Sequence, residues 1–121
     1  MNLDRTFFSA VLFVSFLLSL AACTVERRKT DAELGLNEQQ SRGRRVFDTQ
    51  CARCHDPYNA SAAKGPSLKK LYKRQYLPSG LPATDQHVTD SIILGRKMMP
   101  AFNQSIGQQQ LEDLLAYLKT L

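Results

Sequence analysis

The chain has 121 residues, 43% hydrophobic and 22% charged, with a formal net charge of +5, three cysteines and no tryptophan. That length leaves room for one small domain, and three cysteines exclude a framework of several disulfides. A core this small calls for another staple, such as a metal or a bound prosthetic group.

Residues 1–22 read as a signal peptide: a polar start with Arg5, an apolar run from Phe7 to Leu20, then small residues before Cys23. The run falls short of the ~20 apolar residues that span a bilayer comfortably. Leu20-Ala21-Ala22-Cys23 resembles the lipobox of bacterial lipoproteins, which implies cleavage before Cys23 and a diacylglycerol on its thiol. Ordinary cleavage after the small residues, leaving a soluble protein with a free thiol, is the alternative. At ~0.8 kcal/mol per buried methylene, two or three acyl chains anchor a small domain without a spanning helix. The chain is therefore expected as an exported lipoprotein on the periplasmic side of a bacterial membrane. Residues 23–36 carry mixed charge and little apolar content, the composition of a flexible tether with a reach on the order of 20 Å.

Asn37 with Gln40 is a candidate capping box, and Gly43, Val46, Phe47 and Cys51 recur at helical spacing, so a helix is expected over about 37–50. Gly43 in its interior costs about 1 kcal/mol relative to alanine, which suggests close approach of another helix. Asp56 to Gly65 reads as a loop, Ser67 to Tyr72 as a short helix, Pro78 to Pro82 as a second loop, and Asp85 to Leu94 as a helix ended by Gly95. The C-terminal stripe Leu111, Leu114, Leu115, Leu118 and Leu121 follows Gly107 as N-cap and Gln110 at N3, with an Ile106 to Leu111 staple. This last helix is expected to cross the first near Gly43 and Phe47, with Tyr117 or Leu114 in the contact. No run sustains period-two alternation, so the fold class is all-α, three to five helices with long loops around something apolar.

Cys51-Ala52-Arg53-Cys54-His55 supplies that centre, because it is the haem-attachment pattern. At the end of a helix, thiols about one turn apart form thioethers with both haem vinyl groups while the adjacent imidazole points at the iron. A thioredoxin-like dithiol wants a βαβ context that is absent, and a zinc site would have to recruit distant His87. The second face of the iron has Met98, Met99 and His87 as candidates. Met99 is the expected ligand because Pro100 stiffens the loop that must hold the sulfur. Met98, the less favoured alternative, is expected to pack against Ile92 or cover the haem edge, and His87 to face solvent.

With these residues in view, the segment from about Leu36 to Leu121 resembles a class I c-type cytochrome. The resemblance rests on Gly43-x-x-x-Phe47, the Cys51 to His55 motif, Gly65-Pro66, Met99-Pro100 and an aromatic at Tyr117. It implies a cytochrome c-like domain over 37–121 with one covalent haem c on Cys51 and Cys54, iron ligated by His55 and Met99, and the Pro66 carbonyl accepting the His55 Nδ1 hydrogen. No tryptophan is available for a haem propionate, and Tyr58, Tyr72, Arg74 and Tyr76 are the possible replacements.

Two protein axial ligands leave no open site on iron, so the expected function is electron transfer rather than catalysis. The alternatives are a haem-bearing subunit of a larger membrane redox enzyme, or a gas-binding haem protein if the methionine is labile. Arg5 and Asp4 cancel, so the +5 lies beyond the signal. Lys64, Lys69, Lys70, Lys73, Arg74, Arg96 and Lys97 flank the expected pocket. They are either a solvated face or a basic rim that steers docking onto an acidic patch of an oxidase or dehydrogenase. Nucleic acid is not an expected partner.

Overall fold

The structure is a computed structural model that describes residues 28–60 and 64–121. The expected signal peptide over 1–22 and Cys23 lie outside the described residues. Among the described residues three α-helices, α1 (Glu38–Gln50), α2 (Asp85–Leu94) and α3 (Gln108–Leu118), are joined by long loops that hold one 3₁₀ turn at Leu71–Lys73. Among the described residues there is no strand longer than an isolated bridge, and no helix is long and apolar enough to cross a membrane.

The helix starts follow local chemistry. Asn37 Oδ1 accepts from the Gln40 N–H at 2.9 Å, and Gln40 Oε1 accepts from the Asn37 N–H at 2.9 Å, which satisfies two of the amide donors that a helix start leaves open. Thr84 caps α2 by accepting the His87 N–H at 3.3 Å. At α3 the Gly107 N–H donates to Gln110 Oε1 at 3.0 Å, while Ile106 and Leu111 are both buried on either side of the cap.

Helices α1 and α3 form the main packing unit. A Cβ on Gly43 would sit 1.8 Å from the Asp113 carbonyl oxygen and 2.9 Å from Tyr117 Cβ, so the backbones meet where α1 has no side chain. One turn on, the Phe47 and Tyr117 rings are 5.5 Å apart and tilted by 56°, within the range for favourable aromatic pairs. Both side chains are fully buried, as is Leu114, and Leu71, Val88, Ile92, Leu111, Leu118 and Leu121 complete the core around them.

A carboxylate is locked into the same crossing. Asp113, 3% exposed, accepts from Arg42 Nε at 2.8 Å and Nη2 at 3.2 Å, and from Gln109 Nε2 at 3.2 Å. The Arg42 hydrogen bond holds its pKa below the ordinary carboxylate value of 3.8. Asp85 is lowered likewise, first by its hydrogen bond from Lys119. A carboxylate whose folded pKa lies below its unfolded one stabilises the fold at pH values above the unfolded pKa and loses that contribution as pH falls through the folded one. Tyrosine circular dichroism is therefore expected to report full stability above about pH 5 and progressive loss below about pH 4. Asp113→Asn should flatten this acid limb, and an unchanged limb would remove Asp113 from the account.

Two expectations are corrected. The short helix over Ser67 to Tyr72 is only the turn Leu71–Lys73, because Ser67 Oγ accepts the Lys69 N–H at 3.2 Å and Lys70 sits in the left-handed region with φ 57°. Leu71 is still buried there. Residues 28–36, expected within the flexible tether, form a turn docked on α1. Thr30 and Glu33 close a local box, with Glu33 Oε2 accepting from the Thr30 N–H at 2.6 Å and Thr30 Oγ1 accepting from the Glu33 N–H at 3.3 Å. Buried Arg44 then reaches out to Asp31 at 2.5 Å and to the Lys29 carbonyl at 2.6 Å.

Candidate functional site

The Cys51 to His55 motif rides on the last turn of α1. The Cys51 and Ala52 N–H groups donate to the Phe47 carbonyl at 2.8 and 2.9 Å, and the Cys54 and His55 N–H groups donate to the Cys51 carbonyl at 3.1 and 3.0 Å. The two thiols thus lie one tight turn apart, each half-buried and free. Burial, with Asp48 and Cys54 adding to it, pushes the Cys51 thiol up to about 11, so it is protonated at neutral pH.

The next loop folds back over His55. Asp56 starts the reversal by accepting the Tyr58 and Asn59 N–H groups at 2.8 and 2.7 Å. The Asn59 backbone hydrogen bond is the leading cause of its lowered pKa. The Gly65 N–H returns to the Cys54 carbonyl at 2.8 Å, and Leu68 to that of Asp56 at 2.9 Å. The His55 Nδ1–H then donates to the Pro66 carbonyl at 2.8 Å. A Cβ on Gly65 would be 2.6 Å from His55 Cε1, so the ring lies flush against that backbone. With Nδ1 spent, Nε2 is the nitrogen left to meet a metal.

Beyond α2, Arg96 and Met99 exchange backbone hydrogen bonds at 2.9 Å each around Lys97, whose φ is 53°. Gly95 ends α2 at φ 72°, and a Cβ there would be 2.7 Å from both Met99 O and Ala101 N. The Phe102 N–H donates to the Ile92 carbonyl at 3.0 Å and pins the far side of the turn. In this arrangement Met99 is half-buried and packs against the core. Met98 is 88% exposed, so the expected packing on Ile92 does not occur: the tight turn sends adjacent side chains in opposite directions. His87 is half-buried, its Nδ1 3.0 Å from the Pro82 carbonyl and 3.2 Å from Thr84 Oγ1. Among the described residues no group of three or more His, Cys, Asp or Glu side chains is disposed to hold a metal ion.

The four candidates for a propionate are in different states. Tyr58 shares a 2.8 Å hydrogen bond with Tyr117, Arg74 donates to the Lys69 carbonyl at 2.6 Å, and Tyr76 is exposed. Among the described residues the buried Tyr72 hydroxyl has no partner in hydrogen-bond geometry; burial, with Asp85 beside it, raises its pKa. Tyr72 stands at the junction of α2 and α3, where Lys119 Nζ pairs with Asp85 at 2.6 Å and lies 5.9 Å above the Tyr72 ring. Gly65 as the backing of the imidazole and Asp56 as the residue that turns the loop were not assigned those roles from sequence. Asp56 had a usable signal, an Asp followed by Pro-Tyr-Asn, which is the composition of an Asx turn.

These residues fit a covalent haem: two thiols one turn apart, an imidazole with a free Nε2, and a thioether on a pinned turn. The family model described as cytochrome C oxidase, cbb3-type, subunit III matches residues 38–118, the span from the start of α1 to the end of α3. The chain is similar to a cytochrome c6-like protein of Nostoc sp., 26% identical over 111 residues that cover 92% of this chain and 89% of that one. It is 34% identical over 89 residues to a cytochrome c-553-like protein of Synechocystis sp., covering 73% and 74% of the two chains. A cytochrome c6 of Tetradesmus obliquus is 26% identical over 76 residues, 63% of this chain and 83% of its own. No solved structure matches the chain significantly.

Proposed function

The chain belongs to the class I c-type cytochromes, electron carriers with one haem c, and from that premise we propose that it is an exported, lipid-tethered carrier in which two of its side chains would ligate the haem iron. In this reading Cys51 and Cys54 hold the haem by thioethers, His55 and Met99 ligate its iron, and Cys23 carries the lipid. Haem c supplies a centre that takes up and gives back one electron. The observation that carries the reading is the division of the methionines, Met99 against the core and Met98 88% exposed.

The residues around the site each have a part in this function. The Pro66 carbonyl fixes the His55 tautomer and makes the imidazole a stronger donor. The Arg96 to Met99 turn and Pro100 hold the Met99 thioether in place, so that it would move little between the two valence states of a bound iron. A soft thioether would favour the ferrous state, and the partly buried setting would work in the same direction. The test is spectroscopic. The purified protein should keep its haem through acid-acetone extraction, the oxidised form should show the weak near-infrared sulfur-to-iron band, and the ferrous form should resist carbon monoxide. Rapid binding of carbon monoxide to the native ferrous protein would favour a ligand-binding haem protein instead.

The partner in this proposal is a redox protein with an acidic docking patch. Lys64, Lys69, Lys70, Lys73, Arg96 and Lys97 are exposed, and among the described residues none of the six is in a salt bridge. Charges are screened over about 10 Å at 0.1 M salt, so electron transfer to the native acceptor should slow as salt rises. Reversing Lys69, Lys70 and Lys73 together should remove most of that dependence, and a rate indifferent to salt leaves the lysines as solubilising surface. The description of the matched family supports a second reading, a haem-bearing subunit of a larger membrane redox enzyme.

A further inference from the structure

The turn at residues 28–36 reverses the direction in which the chain reaches the domain. From Asn37 at the start of α1 the chain can be followed backwards. The Leu36 N–H donates to the Asp31 carbonyl at 3.0 Å and the Leu34 N–H to that of Thr30 at 3.1 Å. Asp31 and the Lys29 carbonyl are both held by Arg44, and Arg28 pairs with Asp48. The contacts thus advance along α1 from its N-terminal end to Arg44 and then, one turn later, to Asp48. At 1.5 Å per residue the segment travels about 16 Å alongside the helix. The described chain thus begins, at Arg28, beside Asp48 in the last turn of α1, the end that carries Cys51.

The clamp is built to last. Arg44 is 6% exposed; burial opposes its charge, and the Asp31 hydrogen bond together with nearby Tyr58, Tyr117 and Asp31 outweighs it, so its pKa is raised. Hydrogen bonds from Ser41 and then Arg44 hold Asp31 below the ordinary carboxylate range. Releasing the strap would leave a buried guanidinium without its carboxylate, an arrangement that is strongly disfavoured.

We propose that residues 28–36 are a strap that delivers the lipid anchor to the haem-attachment end of the domain, holding the Cys51 to His55 end close to the bilayer. The inference rests on lipidation at Cys23. Only residues 23–27 then separate the lipid from the strap, and their contour cannot exceed about 17 Å. A free tether over 23–36 would instead extend to about 48 Å. Lys29 and Arg53 are exposed and face an anionic headgroup layer. The redox partner is then a protein of the same membrane, approached along its surface.

Haem quenching of a headgroup fluorophore measures the height directly. Lipidated holoprotein on vesicles of phosphatidylethanolamine and phosphatidylglycerol should quench strongly. Inserting eight Gly/Ser residues between Arg27 and Arg28 touches no strap contact, yet should weaken quenching about twofold by restoring a reach of about 20 Å. Asp31→Ala with Asp48→Ala should do the same by releasing the strap. If lipid is present on Cys23 and quenching is the same in all three proteins, the strap proposal is overturned and the tether stands. If intact mass shows a bare Cys23, the tether reading falls and this inference with it. In the soluble Cys23→Ser holoprotein, amide exchange at Leu34, Gly35 and Leu36 should be slow and should become fast in the double alanine variant. Fast exchange in both would overturn the strap whatever the state of Cys23.

Discussion

Gly43→Ala is expected to destabilise the protein by about 3 kcal/mol, the upper part of the range for overpacking a tight contact. On helix propensity alone the substitution would stabilise α1 by about 1 kcal/mol, so the sign of the result separates the local effect from the tertiary one. The new methyl group would sit 1.8 Å from the Asp113 carbonyl oxygen, and that atom is backbone, unable to swing aside as a side chain would. Helix α3 must shift, which pulls Tyr117 off Phe47 and strains the Arg42 to Asp113 pair. For a domain of this size the melting temperature should fall by roughly 12 °C or more. Haem retention by the thioethers should survive, because the motif lies beyond the crossing. An unchanged or raised melting temperature would mean that α1 and α3 do not meet at Gly43.

Met99→Ala should have the largest effect on function. The oxidised variant is expected to lose the near-infrared sulfur-to-iron band, its potential should fall by a sizeable part of the roughly 0.8 V that axial ligation commands, and its ferrous form should bind carbon monoxide. Met98→Ala should keep the band and the potential, and it should cost little stability, since Met98 is 88% exposed. The contrast depends on the turn from Arg96 to Met99: with Lys97 at φ 53° and paired hydrogen bonds closing it, consecutive side chains diverge. Survival of the band in Met99→Ala together with its loss in Met98→Ala would reverse the assignment.

What the sequence by itself determined here is local. The Asn37/Gln40 box, Gly95 as the end of α2, the Ile106 to Leu111 staple and the extents of the three helices all depend on residues within a few positions of one another, so short-range chemistry sufficed. The crossing at Gly43 was legible too, because an interior glycine in an otherwise regular helix has few other uses. The attachment motif was legible because its spacing is its chemistry. The short helix over Ser67 to Tyr72 failed on a competing local bond, the Ser67 hydroxyl taking the Lys69 N–H, which periodicity does not register.

Only the tertiary structure decided the rest. The charged run at 28–36 has the composition of a tether, and its Thr30-x-x-Glu33 box was a signal left unused. What docks it is Arg44, on the face of α1 that the apolar pattern does not describe, and a buried arginine is decided by the partner it finds. Which of two adjacent methionines turns inward was likewise set by the turn closed between Arg96 and Met99 and by the Phe102 to Ile92 bond beyond it. The backing of His55 by Gly65 needed the Asp56 loop to fold back by ten residues. Sequence pattern reports which residues prefer which surroundings; where two segments meet depends on the sum of many weak contacts across the chain, and that sum is evaluated only by the fold.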